Sequence, residues 1–501
     1  MPGALIGPGV PWAVWTLAVP LAFAALALVL GPRARHVFPW AAAATLAAAA
    51  ALALQVATHG QVGHALGGWE VPLGIRLRAD GLAAALVLVA AVVAGAVGLH
   101  ARAEFADPPG RATRAGALFW PLLLLLWGGL NAVFLGADLF NLYVALELVS
   151  LTAVALATIE GRPEALVAGM RYLLTALLGS AAYLLGTALL YGAYGTLDMA
   201  LLAAVVGPQP ATWAATALVT AGLLAKTALF PLHFWLPAAH ASAPAPASAL
   251  LSGLVVKASF YVVVRLWFDV LAPTTGVAAA QLLGALGAAA ILWGSVLALR
   301  QVRLKLLVAY STVAQLGYLF LMFPLAGSET GAQPWTAGAW IGGIFHAVSH
   351  ASAKAAMFLA AGTILHAFGH DRIAGLAGAA RALPMTVFAF GAAGLSLMGL
   401  PPSGGFIAKW LLLTAALAGG QWVWAAVMLA GGLLAAAYVF RTVQSTFAAP
   451  DAPPAIRPVP ASHQVVPLAL AGVSVALGIV PYGLYALLQI GRPAAAEEGL
   501  E

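Results

Sequence analysis

The chain has 501 residues, 63% of them hydrophobic and only 8% charged, with a formal net charge of +6. Soluble domains carry about 25% charged residues, so this composition cannot clothe a water-facing surface and the lipid bilayer must be its solvent. The absence of cysteine excludes disulfides, thiolate metal sites and iron–sulfur ligation by this chain. No basic run with interleaved aromatics supports nucleic-acid binding, although the pI is near 9.6.

A membrane-crossing helix needs about 20 mostly apolar residues. Fourteen stretches qualify, numbered here as spans 1 to 14: 11–31, 38–57, 80–101, 116–136, 138–158, 167–194, 211–230, 246–270, 275–299, 304–325, 338–367, 382–415, 420–440 and 464–489. Span 1 has no basic leader or cleavage pattern before it and reads as a retained helix. The longest polar pieces, 102–115 and 447–463, read as connecting loops. The expected fold class is an all-α membrane protein.

The basic residues test this division. The connections after spans 1, 3, 5, 9, 11 and 13 hold Arg33, Arg35, Arg102, Arg111, Arg114, Arg162, Arg171, Arg300, Arg303, Lys305, Arg372, Arg381, Arg441 and Arg457, against Arg76, Arg78 and Arg492 on the other side. The positive-inside rule then makes the odd-numbered connections cytoplasmic and puts both termini outside the inner membrane. Left over are Lys226, Lys257, Arg265, Lys354 and Lys409, all within predicted spans. A charge at the bilayer centre costs about 3 kcal/mol on insertion scales, so a row of buried lysines needs a function.

Two spans are interrupted. Span 7 runs from Lys226 into Pro231 and Pro237, and span 12 carries Pro401, Pro402, Gly404 and Gly405 just before Lys409. Irregular backbone at membrane depth survives only where protein or a watery cavity satisfies it. Interruptions in corresponding halves point to two inverted five-helix repeats, spans 4–8 and 9–13, each with a broken helix in fourth place. The expected organisation is 1–115 for spans 1–3, 116–270 and 271–440 for the repeats, and 441–501 for span 14 and the tail.

Glu147 lies mid-span among apolar neighbours and reads either as a protonated, hydrogen-bonded group or as the charge partner of Lys226. Lysine can release a proton and arginine cannot, which suits lysine in the spans and arginine in the loops. Lys257 is far from both ends of span 8, which argues against snorkelling. His346, His350 and Lys354 fall at i, i+4 and i+8 on one helix face. They read as a proton relay, because two histidines with no third ligand make a weak metal site. A hydrogen-bonding stripe between helices is the plainer alternative. His233 and His240, between spans 7 and 8, fit a gate or an aromatic belt equally well, and Lys409 is a terminal proton site or a half-helix cap. No phosphate-binding loop, dinucleotide fingerprint or hydrolase triad occurs. Covalent catalysis and a cofactor are therefore not expected, and the energy must come from an ion gradient or a partner.

Five blocks carry a resemblance: D-L-F-N-L-Y-V-A-L-E (138–147), K-T-A-L-F-P-L-H-F-W-L-P-A-A-H-A-S-A-P-A-P-A-S-A-L-L-S-G-L-V-V-K (226–257), L-K-L-L-V-A-Y-S-T-V-A-Q-L-G-Y (304–318), H-A-V-S-H-A-S-A-K-A-A-M-F-L-A-A-G (346–362) and G-L-P-P-S-G-G-F-I-A-K (399–409). In this order they resemble the proton-translocating, antiporter-like subunits shared by respiratory complex I (L, M and N) and Mrp-type sodium/proton antiporters, most closely the Mrp D type. The resemblance implies a proton path through Glu147, Lys226, Lys257, His346, His350 and Lys409, with Lys354 added from the spacing above. It also implies partner membrane subunits, protons and possible sodium as the ions moved, and no metal or cofactor. A lysine on span 12 fits the D and N types, whereas the M type has glutamate. Two positions depart from the family: Arg171, where lysine is common, and Ala238, where the family has an acid. A proton-translocating antiporter subunit is the expected function, with a membrane-arm pump subunit of a complex I-like or hydrogenase complex as the alternative. A solitary organic-substrate transporter and a non-conducting scaffold fit the lysine row less well.

Overall fold

A computed structural model describes residues 9–106, 112–327, 334–450 and 456–492 of the chain. Arg111, one of the loop arginines above, falls outside the described residues. The described chain is nearly all helical, as an apolar backbone in lipid requires: only internal hydrogen bonds can satisfy its N–H and C=O groups. The helices are α1 (Trp12–Leu30), α2 (Ala34–His59), α3 (Gly81–Glu104), α4 (Arg114–Leu135) and α5 (Leu139–Ala157). They continue as α6 (Pro163–Tyr194), α7 (Pro210–Thr227), α8 (Ala245–Val270), α9 (Val277–Arg300), α10 (Leu304–Ala326) and α11 (Pro334–Phe368). The last are α12 (Pro384–Met398), α13 (Gly404–Ala418), α14 (Trp422–Phe447) and α15 (Ala461–Ile479). Among the described residues twelve helical stretches are long and apolar enough to cross a membrane, the first of them, Trp12–His59, holding both α1 and α2.

α8 is the central rod, its most apolar 18-residue window wholly buried. α6 lies at the rim and turns Leu166, Met170, Leu174 and Leu178 outward. α6 and α7 cross closely because Gly179 and Gly222 lack side chains: a Cβ on Gly222 would sit 2.3 Å from the Gly179 carbonyl oxygen. This crossing lays the far end of α7, with Lys226, against α6.

One end of the bundle is closed by an antiparallel hairpin, β1 (Val62–Ala65) and β2 (Arg76–Ala79). Asp80 follows it and caps α3 by accepting from Ala83 N–H at 3.0 Å. The same buried carboxylate takes Arg265 of α8 at 2.5 Å and Arg78 at 3.1 Å, and Arg265 also reaches Asp269 at 3.2 Å. Arg265 thus enters the membrane region fully paired, as a buried charge must.

The interruption expected in span 12 (382–415) is present: the span is two short helices, α12 and α13. Two sequence expectations need correction. Span 14 (464–489) is α15 followed by a short helix, Tyr482–Leu488, after a turn at Val480 and Pro481. Lys305, assigned to a loop, lies in the first turn of α10 and is 3% exposed. α10 starts at Leu304, as span 10 does, and there Asp371 takes the Lys305 N–H at 3.3 Å and the Arg303 side chain at 2.9 Å. The Lys305 ammonium then turns inward to the Ala243 carbonyl at 2.5 Å, so all five lysines of the sequence are buried.

Candidate functional site: a polar row across the bundle

α7 ends where Ala228 takes the left-handed conformation, φ 59° and ψ 40°. At the break the Ala225 carbonyl takes the Ala228 N–H at 3.3 Å in a tightened last turn, and the indole N–H of Trp235 also donates to it at 3.0 Å. Just before the break, the Lys226 ammonium donates to Glu147 of α5 at 2.9 Å and to the Ser150 hydroxyl at 2.9 Å. Ser180 of α6 donates to the same carboxylate. The pairing expected from the sequence is therefore present, with Lys226 almost wholly enclosed and Glu147 reaching a little more solvent.

The next residue, Thr227, links α7 to α8 by donating to Ser259 at 2.8 Å, and Ser259 donates to the Val256 carbonyl. Lys257 follows on α8. Two π-helical turns, Leu251–Val255 and Leu266–Val270, flank the α-helical Val256–Arg265 that carries it. A π turn displaces carbonyls from their usual partners, and the Lys257 ammonium donates to one of them, that of Ser252. The Ser252 hydroxyl lies 2.9 Å from Thr312 of α10, and Thr312 donates to the Val308 carbonyl at 3.0 Å. Lys354 of α11 donates to that carbonyl and to Ser311, both at 2.6 Å.

From Lys354 the row continues along α11 as predicted, with the His346 and His350 rings stacked 5.5 Å apart. Both nitrogens of His350 are buried without a hydrogen-bond partner, and so is Nδ1 of His346. His346 Nε2 lies 3.2 Å from the Gln315 carbonyl. The Gln315 amide donates to the Leu397 carbonyl at 3.1 Å, a group left open where α12 ends at Gly399 (φ +80°). Lys409 of α13 donates to the same carbonyl at 2.5 Å and sits 3.8 Å from the centre of the Tyr318 ring. It does cap the preceding half-helix, one of its two sequence readings. It also lines a cleft of about 420 Å³ with Gly399, Phe406 and Trp410.

The two histidines of the connecting segment part company. His240 is completely buried and stacked on Phe358, whose ring also lies 5.6 Å from the Lys354 ammonium. That excludes an interfacial belt for His240 and places it beside the row. His233 stacks on Phe230, next to the α7 break. Arg171 is an exposed residue of α6 and joins none of these contacts.

The sequence reading assigned no site role to any residue of α10, yet Val308, Ser311, Thr312 and Gln315 bridge α8, α11 and α12. Ser311 and Gln315 at i and i+4 were a visible signal, polar residues on one face of an apolar span. The π turns and the Asp80–Arg265 pair left no such trace.

A family model described as NADH:quinone oxidoreductase/Mrp antiporter, TM, matches residues 136–435. The chain is 36% identical to an NADH-quinone oxidoreductase subunit N of Desulforudis audaxviator, over 89% of each sequence. It is 31% identical to the D-type subunit of a Na(+)/H(+) antiporter of Alkalihalophilus pseudofirmus, over 76% of this chain and 75% of the relative. A solved chain of the Mrp complex from Dietzia sp. DQ12-45-1b superposes with a TM-score of 0.86 at 26% identity, covering 98% of this chain and 99% of that one.

Proposed function

We infer the function from one premise: the chain belongs to the NADH:quinone oxidoreductase/Mrp antiporter transmembrane family. It is a multi-pass membrane protein and a proton-translocating subunit of a multi-subunit cation/proton antiporter, similar to the Mrp D type. Other membrane subunits of such a complex are its partners. A second reading, a membrane-arm subunit of a complex I-like oxidoreductase, is favoured by the 36% identity to subunit N.

The observation that carries the reading is the polar row, in which hydroxyls, carbonyls and imidazoles join four buried lysines within one bundle. In our reading a proton reaches Lys226, passes through Lys257, Lys354 and the histidines His350 and His346, and leaves through Lys409. Glu147 holds the charge on Lys226 until the pair separates. His240 and His233 gate access beside the row. Lysine suits the carrier positions because a desolvated ammonium can shed its proton, and the unpartnered nitrogens of His350 suit transient water.

Two further features complete the proposal. α4–α8 and α9–α13 with α14 are inverted repeats, each with its break in fourth place, and the flanking segments 1–115 and 441–501 stand outside them. The arginine-rich connections face the cytoplasm, and both termini face outward in the plasma membrane.

The decisive experiment replaces Lys226 with alanine in the assembled complex and follows the pH gradient in sealed vesicles. We expect gradient formation to disappear, and transport at the unaltered rate would defeat the proposal. The same vesicles separate the two readings: an imposed sodium gradient drives proton movement in the first, quinone reduction in the second.

A further inference from the structure

At the end of the bundle where α9 and α14 leave the membrane, four arginines from three separate elements line one cavity of about 690 Å³. Arg300 ends α9, Arg303 lies in the connection to α10, Arg372 follows α11, and Arg441 lies in the last third of α14. Among the described residues no acidic side chain lines the cavity. Its wall is held firmly, since the strands of chain at Arg303 and Arg372 bridge each other, with Leu304 N–H on the Asp371 carbonyl at 2.7 Å and Ile373 N–H on the Val302 carbonyl at 2.9 Å.

The charges are poorly compensated. Arg303 is paired, with Asp371 at 2.9 Å. Arg441 donates to the Leu299 carbonyl and, at 2.5 Å, to the Gln301 carbonyl, both uncharged partners. Arg300 and Arg372 are exposed and make no side-chain hydrogen bond or ion pair among the described residues. Arginine-rich connections are ordinary on one side of a membrane protein, but convergence of four on one cavity is not a consequence of that rule. Guanidinium forks match phosphate oxygens in pairs.

The surroundings indicate what carries the phosphate. Going into the membrane from Arg300, Val296 and Trp293 of α9 are exposed, and on α14 Phe440 and Leu433 are exposed below Arg441. A basic cavity at headgroup depth over an outward apolar flank fits a phosphodiester with acyl chains. We propose that the Arg300–Arg303–Arg372–Arg441 cavity binds the phosphate headgroup of an acidic phospholipid, tying the ends of α9, α11 and α14 together.

The test uses the complex containing the full chain, stripped of lipid and titrated separately with phosphatidylglycerol, phosphatidylcholine and inorganic phosphate, with thermal stability as the readout. Phosphatidylglycerol should stabilise, and phosphatidylcholine should not. In an R300Q/R372Q variant the phosphatidylglycerol concentration for half-maximal effect should rise about tenfold or more, as loss of two charge-assisted contacts implies. An R33Q/R35Q variant, altered between α1 and α2, should match the unaltered protein. If R300Q/R372Q does not assemble, R300K/R372K keeps the charge without the fork and should bind a few-fold more weakly than the parent. Equal phosphatidylglycerol response in parent and Gln or Lys variants would overturn the proposal. So would inorganic phosphate acting at the same concentration as lipid, and so would loss of a partner subunit from R300Q/R372Q with its lipid response intact, which would mark an acidic protein segment as the occupant.

Discussion

The two broken helices solve one problem in opposite ways. At the α7 break the Ala225 carbonyl is shared by the Ala228 N–H and an indole, and the nearby lysine is left to a carboxylate: Lys226 on Glu147 at 2.9 Å. At the α12–α13 break the freed carbonyl, Leu397, goes to the lysine itself, and no carboxylate is at hand: among the described residues Lys409 has only that oxygen and the face of Tyr318. One break holds a full ion pair and the other holds a cation on dipoles. A buried pair is costly to sever, whereas a cation held by a carbonyl and a ring loses little when it gives up its proton. The first end of the row is built to keep a charge, the second to let one go.

The comparison breaks most visibly at Glu147. Glu147→Gln should destabilise the protein by about 3–5 kcal/mol, because it strands a buried ammonium, while Lys409→Met should cost far less. Adding Lys226→Met to Glu147→Gln should restore part of the loss. Thermal unfolding of the purified complex measures all three, and equal costs at the two breaks would show that the contrast is false. Next in size is the ring beneath Lys409. Tyr318→Phe should cost about 1 kcal/mol for the lost hydrogen bond to the Met428 carbonyl. Tyr318→Leu should cost about 2 kcal/mol more, from the cation–π contact and the ring volume. Identical unfolding temperatures for the two variants would remove the ring from the account.

The backbone at the breaks sharpens the same contrast. Gly399 adopts φ +80°, and a Cβ there would meet Lys409 Cδ at 2.7 Å, so Gly399→Ala should cost about 1–2 kcal/mol. Ala228 already bears that strain at φ 59°, so Ala228→Gly should leave stability unchanged or raise it by up to about 1 kcal/mol. Denaturant titration distinguishes these signs. Smallest is Thr227→Val, which removes the hydroxyl joining α7 to Ser259. About 1 kcal/mol of stability should go, and proton transport in vesicles should slow relative to an Ala228→Gly control.

Much of this was legible in the sequence, and for definite reasons. Long Ala/Leu runs must be helices in lipid, Pro401-Pro402 and Pro231 must interrupt them, and lysines inside such runs stand out against the arginines of the loops. The Glu147–Lys226 contact was one of two readings that the sequence offered for Glu147, and the structure shows it. Less legible were groups whose sidedness depends on packing. Ser311 and Thr312 bond back to their own helix at the Val308 carbonyl, as Ser150 does to Leu146, and no local pattern shows that they also meet Lys354 and Ser252. Lys305 was counted with the loop arginines, and its inward turn to the Ala243 carbonyl, beside Asp371 66 residues away, leaves no local signal. Arg265 was visible as a buried charge, but its partner Asp80 lies 185 residues off, beyond any local pattern.

The π turns on either side of Lys257 carry a mechanical consequence. Each is an α-helix with one surplus residue, and a surplus can be handed along a helix one hydrogen bond at a time. Passing it from Leu251–Val255 towards Leu266–Val270 would turn Lys257 by about 100°, one residue's worth of rotation. Arg265 would ride with it, while the ends of the rod, Ala245 and Val270, stayed where they are. Such a central helix could swing its amine between the α7 and α10 neighbours with no change in the outline of the protein, like a ripple moved along a pinned carpet. Rapid amide exchange spanning 251–270 during turnover, with 245–250 protected, would register that motion; uniform protection along α8 would deny it.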